Sequence, residues 1–270
     1  MDDALLHIGL LDDEAIVLDT DALNIAALDH PHLSLAPYID RLGEIAERLI
    51  AVGADALSAA DRAAVLARVF AVEFGFTGDA ETYDDPDNAD LIRVIDRRRG
   101  LPVSLALLYV AAARRLGWEA DALNTPGHVL VRIGPELESV LVDPFHDGAV
   151  VSPAQLASLL AQMLGSQAVP TTEHLAAMSN RAVLVRLIMN QATRAEAAGE
   201  RERALTLYRR MTIIAPSNGH AWWERARLEL ARGDVGDARS SLSAMLEVTR
   251  EPGRRAHIFA ALDALSGRAG

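Results

Sequence analysis

Three polar residues in the middle of the chain, Ser104, His128 and Asp143, offer a nucleophile, a general base and an orienting carboxylate. Ser104 follows Pro102 at the expected start of a helix, where free N–H groups and the positive dipole end favour a developing anion. A histidine exchanges protons near neutral pH, and a nearby carboxylate fixes its tautomer. This set predicts a triad of the kind that hydrolases and acyltransferases use.

Each of these residues also has a purely structural interpretation. Ser104 suits a helix cap, His128 a turn with one satisfied ring nitrogen, and Asp143 with Pro144 the turn that ends a strand. A further alternative is a carboxylate and imidazole metal site made of His128, Asp143 and His146. Because turn histidines are common without a metal, we expect neither a metal nor another cofactor.

The elements that must position this set are a helix and two or three strands. Gly100-Leu101-Pro102 breaks the chain, and apolar residues at helical spacing continue until Gly117. Residues 118–124 and 128–133 alternate as strands do, with a Thr-Pro-Gly turn between them, and 140–142 is a short apolar third strand. The pattern predicts a helix packed on an antiparallel sheet, with Ser104, His128 and Asp143 converging in one cleft.

Helical regions flank this core. The first ~75 residues carry apolar residues at three- and four-residue spacing. After a loop at 165–172, a segment beginning at Gly199 recurs at Gly233, an offset of 34 residues that is typical of tetratricopeptide repeats. We therefore predict an α+β protein with residues 1–165 as the core and its helical N-terminal region. Residues 166–270 form the repeat region, which is expected to pack on the core because two repeats bury too little by themselves.

Composition and charge exclude several classes of function. The 270 residues include no cysteine, which rules out disulfides, thiolate zinc sites and a thiol nucleophile. All 26 basic residues are arginine, so there is no catalytic lysine. Residues 1–96 carry a net charge of −16 and residues 97–270 one of +4, which disfavours nucleic-acid binding. No apolar run of about 18 residues and no leader sequence is seen, so we expect a cytoplasmic protein without a membrane partner.

Several stretches together resemble a known family. They are Ala22-Leu23-Asn24-Ile25-Ala26, Phe74-Gly75-Phe76-Thr77-Gly78, Tyr83-Asp84-Asp85-Pro86, the run from Asp96 to Leu105, Pro126-Gly127-His128 and Asp143-Pro144-Phe145. In these stretches the chain resembles the soluble member of the bacterial SirB family of transglutaminase-like proteins. The helical tail matches that family too.

The resemblance implies that Ser104 stands where transglutaminases have their nucleophilic cysteine, with His128 and Asp143 in their usual places. A serine hydroxyl stays protonated where a thiol ionises, so most activity should be lost. We therefore expect a non-catalytic or regulatory module, a pseudoenzyme that binds a protein or peptide partner. The alternative is a serine-dependent hydrolase or acyltransferase. Further residues expected to line or order the cleft are Arg99, Tyr83, Asn88 and His146.

Overall fold

The computed structural model describes residues 3–164 and 175–266 and has the predicted α+β fold. Its N-terminal part contains helices α1 (Asp3–Leu10), α2 (Leu18–Ala27), α3 (Ala36–Gly53), α4 (Ala59–Ala67) and α5 (Leu91–Arg97). Helices α6 (Pro102–Arg115) and α7 (Pro153–Leu164) belong to the middle of the chain. The C-terminal part contains α8 (Asn180–Ala197), α9 (Arg201–Ile214), α10 (Gly219–Arg232), α11 (Val235–Val248) and α12 (Pro252–Ser266).

Two small sheets lie between the helical regions in sequence. A four-stranded antiparallel sheet has the order β3 (Ala120–Leu123), β4 (Leu130–Ile133), β5 (Val140–Asp143) and β6 (Ala149–Val150). A second sheet consists of β1 (Thr77–Gly78) and β2 (Arg99–Gly100), which pair in parallel. The three predicted strands of the larger sheet are confirmed: the first two begin two residues later than the alternation indicated, and the third extends one residue further, to Asp143.

Helix α6 is the central helix of this part of the fold. Pro102 occupies its first turn, where the missing N–H costs nothing, and its residues from 102 to 113 are all buried. Gly117 then adopts a φ of 70°, which allows the chain to turn sharply into β3. The helix therefore begins and ends where the sequence predicted.

The outer edge of β3 is covered by a segment from much later in the chain. The backbone N–H of Asn124 donates to the carbonyl of Ala176 at 3.0 Å, and that of Met178 donates to the carbonyl of Ala122 at 2.8 Å. Asn180 then begins α8, and its side-chain nitrogen Nδ2 donates to the backbone carbonyls of Asp13 and Ile16. This segment closes an edge that would otherwise present unpaired backbone groups.

The C-terminal helices repeat at the predicted interval. Gly199 and Gly233, which lie 34 residues apart, both have positive φ (79° and 93°) just before α9 and α11. Ala204 and Ala238 occupy equivalent, fully buried positions in these helices. The 34-residue repetition is thus present in the structure, whereas its assignment to tetratricopeptide repeats stays a prediction.

Contacts divide the described residues into two units. One is Asp13–Leu187, and the other comprises the described residues within Met1–Asp12 and Ile188–Gly270, so the division falls inside α8. The predicted boundary at 165/166 and the loop at 165–172 lie outside the described residues. Packing of the repeat region on the core stays a prediction. Among the described helices, none has a stretch both long and apolar enough to cross a bilayer.

Candidate functional site

Asp143 forms the centre of a cluster with two histidines. Its Oδ2 atom lies 2.9 Å from Nε2 of His128 and 2.7 Å from Nδ1 of His146. Its other oxygen, Oδ1, accepts a hydrogen bond from the backbone N–H of Phe145 at 3.0 Å. One carboxylate oxygen is therefore shared by two imidazoles while the second oxygen is held by the backbone.

A tight turn after β5 brings His146 back over Asp143. Asp143 ends the strand and caps the 3₁₀ turn Pro144–His146, and Asp147 follows in the left-handed conformation with a φ of 57°. The N–H of Gly148 donates to the carbonyl of Asp143 at 2.9 Å, which closes the turn. The turn places His146 next to Asp143, and the contact with Oδ2 holds its side chain, which is otherwise largely exposed.

His128 is held by the loop before β4. Its own N–H donates to the carbonyl of Thr125 at 3.1 Å, and its carbonyl accepts a hydrogen bond from Nη2 of Arg186 at 2.9 Å. Arg186 also donates to Oδ1 of Asn124 at 2.7 Å and to the carbonyl of Thr125 at 3.3 Å. Arg186 was not predicted as a site residue, because it stands in a helical segment that carries no motif.

Ser104 is the third residue of α6 and is fully buried. Its hydroxyl donates to the backbone carbonyl of Asn88 at 2.7 Å. A hydroxyl has only one hydrogen to donate. In this arrangement the Ser104 hydroxyl uses its one hydrogen in a hydrogen bond to the backbone, so it cannot donate a hydrogen bond to His128.

The other predicted cleft residues have mixed roles. Asn88 is buried and donates through Nδ2 to the carbonyl of Thr82 at 2.7 Å, so it orders the loop before α5. Arg99 pairs with the exposed Glu81 at 3.3 Å. Tyr83 lies edge-on to Phe145, with ring centroids 5.8 Å apart. Of these three, Tyr83 alone connects directly to the residues around Asp143.

An aromatic rim made of Tyr83, Phe145 and His146 lies beside the buried pair of His128 and Asp143. The Phe145 ring centroid lies 6.0 Å from that of His128 and 5.3 Å from that of His146. Tyr83 is 40% exposed and the His146 side chain 67% exposed. The rim therefore offers aromatic surface to solvent next to a buried polar pair.

The pKa of Asp143 reports the balance of forces in the cluster. Burial raises this pKa, but hydrogen bonds and charge from His128 and then from His146 outweigh burial, and the pKa lies below its ordinary value. A carboxyl whose pKa is lower in the folded than in the unfolded protein stabilises the fold when ionised. That stability is present above the unfolded value of about 3.9 and is lost as the pH falls through the folded pKa.

We therefore expect the free energy of unfolding to decrease as the pH falls below about 4, in part because Asp143 becomes protonated. The Asp143→Asn variant should show a shallower decrease over the same range. Urea denaturation between pH 2.5 and pH 7 measures both curves. The exposed Asp55→Asn variant is the control and should follow the wild type. Equal slopes for the wild type and Asp143→Asn would show that protonation of Asp143 does not contribute to the loss of stability at low pH.

Comparison with known proteins assigns this chain to a family. The model of the family described as the Transglutaminase-like superfamily matches residues 36–189. The chain belongs to this superfamily. Ser104, His128, Asp143 and His146 all lie within the matched part of the transglutaminase-like chain.

Relatives of this transglutaminase-like chain include several bacterial proteins. A UPF0162 protein of Xylella fastidiosa is 29% identical over 245 residues, covering 89% of this chain and 87% of the relative. A UPF0162 protein of Pseudomonas aeruginosa is 32% identical over 216 residues, covering 80% and 78%. A shorter similarity, 36% over 70 residues, links 26% of the chain to 11% of F-box only protein 21 of Mus musculus.

Proposed function

We propose that this transglutaminase-like protein is a non-catalytic module that binds a peptide or protein partner at the aromatic rim. The observation that carries this proposal is the state of Ser104, which is fully buried and donates its hydroxyl proton to the carbonyl of Asn88. A serine nucleophile must reach its substrate and transfer that proton to a histidine. Membership of the SirB family and the tetratricopeptide nature of the C-terminal repeats are part of the same proposal.

The exposed rim supports the binding half of the proposal. Aromatic side chains provide large contact areas and are enriched at protein interfaces. Tyr83 and His146 expose such area next to a buried polar pair, and Met163, 51% exposed, lies against Gly127 beside His128. A partner that covers this surface would bury apolar area without any chemical step.

The second candidate is a serine-dependent hydrolase or acyltransferase. The contact between His128 and Asp143 at 2.9 Å favours it, because this is the pairing that orients a general base. For such activity the Ser104 hydroxyl would have to leave Asn88 and turn toward His128. The two candidates therefore differ in how accessible position 104 is.

The absence of cysteine allows a direct test of that accessibility. We expect the thiol of Ser104→Cys to react with iodoacetamide at least roughly 100-fold more slowly than a free thiol, because alkylation of a buried group requires local opening. Ser240→Cys is the matched control, since Ser240 also donates to a backbone carbonyl, that of Gly236, but is exposed. Its thiol should react at the rate of a free cysteine.

Rapid alkylation of Ser104→Cys that persists below neutral pH would contradict the proposal, because it would show an accessible thiol with a lowered pKa. A fluorophosphonate probe gives a second reading on the unaltered serine. We expect no labelling of the wild type above the level of Ser104→Ala. Labelling that disappears in Ser104→Ala would establish the hydrolase alternative.

The binding half is tested by a photoreactive phenylalanine analogue placed at position 83 in cells. Leu137, which is 99% exposed and is not a rim residue, is the control position. We expect a discrete cross-linked band from position 83 that is absent from position 137. Equal cross-linking at both positions, or none at position 83, would contradict a role of the rim in binding.

A further inference from the structure

We propose that His128, Asp143 and His146 bind one divalent first-row transition ion through Nε2, Oδ2 and Nδ1 respectively. Two imidazoles and one carboxylate form a donor set that suits such ions and leaves coordination positions open. The inference goes beyond partner binding at the rim. It stands or falls independently of that proposal.

The spacing of the three donor atoms carries the inference. All three lie within 4.8 Å of one another, and the nitrogens of His128 and His146 lie 2.9 and 2.7 Å from Oδ2. With metal–ligand bonds of about 2.1 Å, neighbouring donors are about 3.0 Å apart at right angles and about 3.4 Å apart in a tetrahedron. An ion therefore requires the distance from Oδ2 to each nitrogen to increase by about 0.1 to 0.7 Å, while the two nitrogens, which lie within 4.8 Å of each other, must be about 3.0 to 3.4 Å apart.

The orientation of the carboxylate is also suitable. The N–H of Phe145 holds Oδ1 of Asp143, so Oδ2 alone is directed toward both imidazoles. Such outer hydrogen bonds fix metal ligands in position and contribute to affinity. Arg186 performs a similar task one step further out, because it holds the carbonyl of His128. Two of the three ligands are thus positioned before an ion arrives.

Each of the two imidazoles can offer the ion a nitrogen that carries no proton. A neutral imidazole coordinates through the nitrogen that carries no proton, so the protons would lie on Nδ1 of His128 and Nε2 of His146. The nitrogens that face Asp143, Nε2 of His128 and Nδ1 of His146, then each have a lone pair that can bind the ion.

The three proposed ligands differ in burial, which gives the ion both an enclosed site and a path from solvent. His128 and Asp143 are buried, whereas the His146 side chain is 67% exposed. An ion can therefore enter from the His146 side, and water can occupy its open positions there. This combination distinguishes the cluster from a fully enclosed hydrogen-bonded core.

The test is calorimetric titration of the untagged full-length protein with ZnCl₂ at pH 7.5, after treatment with a chelator. We expect one Zn²⁺ per chain, with an affinity at least ~10-fold lower in His146→Ala. The exposure of His146 makes it a variant that should fold normally, which circular dichroism checks. His32→Ala, which alters an exposed histidine outside the cluster, should bind as the wild type does.

Co²⁺ provides a spectroscopic reading of the same site. Visible absorption from Co²⁺ should appear in the wild type and in His32→Ala but be lost in His146→Ala and Asp143→Asn. No binding of Zn²⁺ at one per chain by the wild type would overturn the proposal. So would binding that His146→Ala leaves unchanged, or that His32→Ala weakens equally.

Discussion

Replacing Gly78 by alanine should lower the free energy of unfolding by roughly 3 kcal/mol, the upper range for overpacking a tight site. A Cβ atom at this position would lie 2.3 Å from the carbonyl oxygen of Phe145 and 2.5 Å from its ring. The carbonyl belongs to the turn that follows Asp143, so it cannot move without displacing that turn. We expect the variant to lose Zn²⁺ binding as well as stability.

Urea denaturation measures the first effect, and Gly43→Ala is the matched control. Gly43 is an exposed position inside α3, and a Cβ there meets nothing within 4 Å. Alanine at a helix interior should be neutral or stabilise by about 0.5–1 kcal/mol. A Gly78→Ala variant as stable as the wild type would show that β1 does not pack against the Phe145 turn.

Arg186→Ala is expected to destabilise the protein by about 2 kcal/mol. The substitution removes three hydrogen bonds from a charged donor, to Asn124, Thr125 and His128, and leaves backbone carbonyls of the His128 loop without that donor. The loop should then become more mobile, and the distance between His128 and Asp143 less well fixed.

Chemical denaturation measures the stability, and the line widths of the His128 ring resonances in NMR spectra report on the mobility of the loop. Arg93→Ala, at an exposed position in α5, removes an arginine without removing the same contacts and should change stability by less than about 0.5 kcal/mol. Equal losses in the two variants would mean that Arg186 contributes only as an ordinary surface arginine.

The fold of the core was accessible from the sequence because its signals are local. Pro102 and Gly117 mark the ends of α6, and period-two alternation marks the strands on either side of the Thr125 turn. The 2.9 Å contact between His128 and Asp143 was also expected, since neighbouring antiparallel strands bring such positions together.

The remaining features depend on contacts between distant residues, which no local pattern encodes. The hydrogen bond from Ser104 to the carbonyl of Asn88 depends on the path of the preceding loop. Because of this bond, a serine that the sequence marks as a possible nucleophile is engaged by the backbone. Arg186 reaches a loop about 60 residues earlier in the chain. His146 was included among the cleft residues, but the turn that directs it onto Oδ2 of Asp143 follows from the left-handed conformation of Asp147.

The segment that covers the edge of β3 is synthesised after β3, so the sheet cannot be completed until that segment has been made. Asn180 bonds to Asp13 across 167 residues of sequence, and Ala176 and Met178 complete the edge of a strand that ends at Leu123. At about 5–20 residues per second, the ribosome needs on the order of ten to thirty seconds to make the chain between Asp13 and Asn180. The edge of β3 is open only while the chain from Leu123 to Met178 is made, a stretch of 55 residues that takes roughly 3–11 seconds at the same rate, and other chains can pair with it during that time. The protein is therefore most exposed to aggregation while it is being made, and a chaperone that shields β3 would be needed only until α8 emerges.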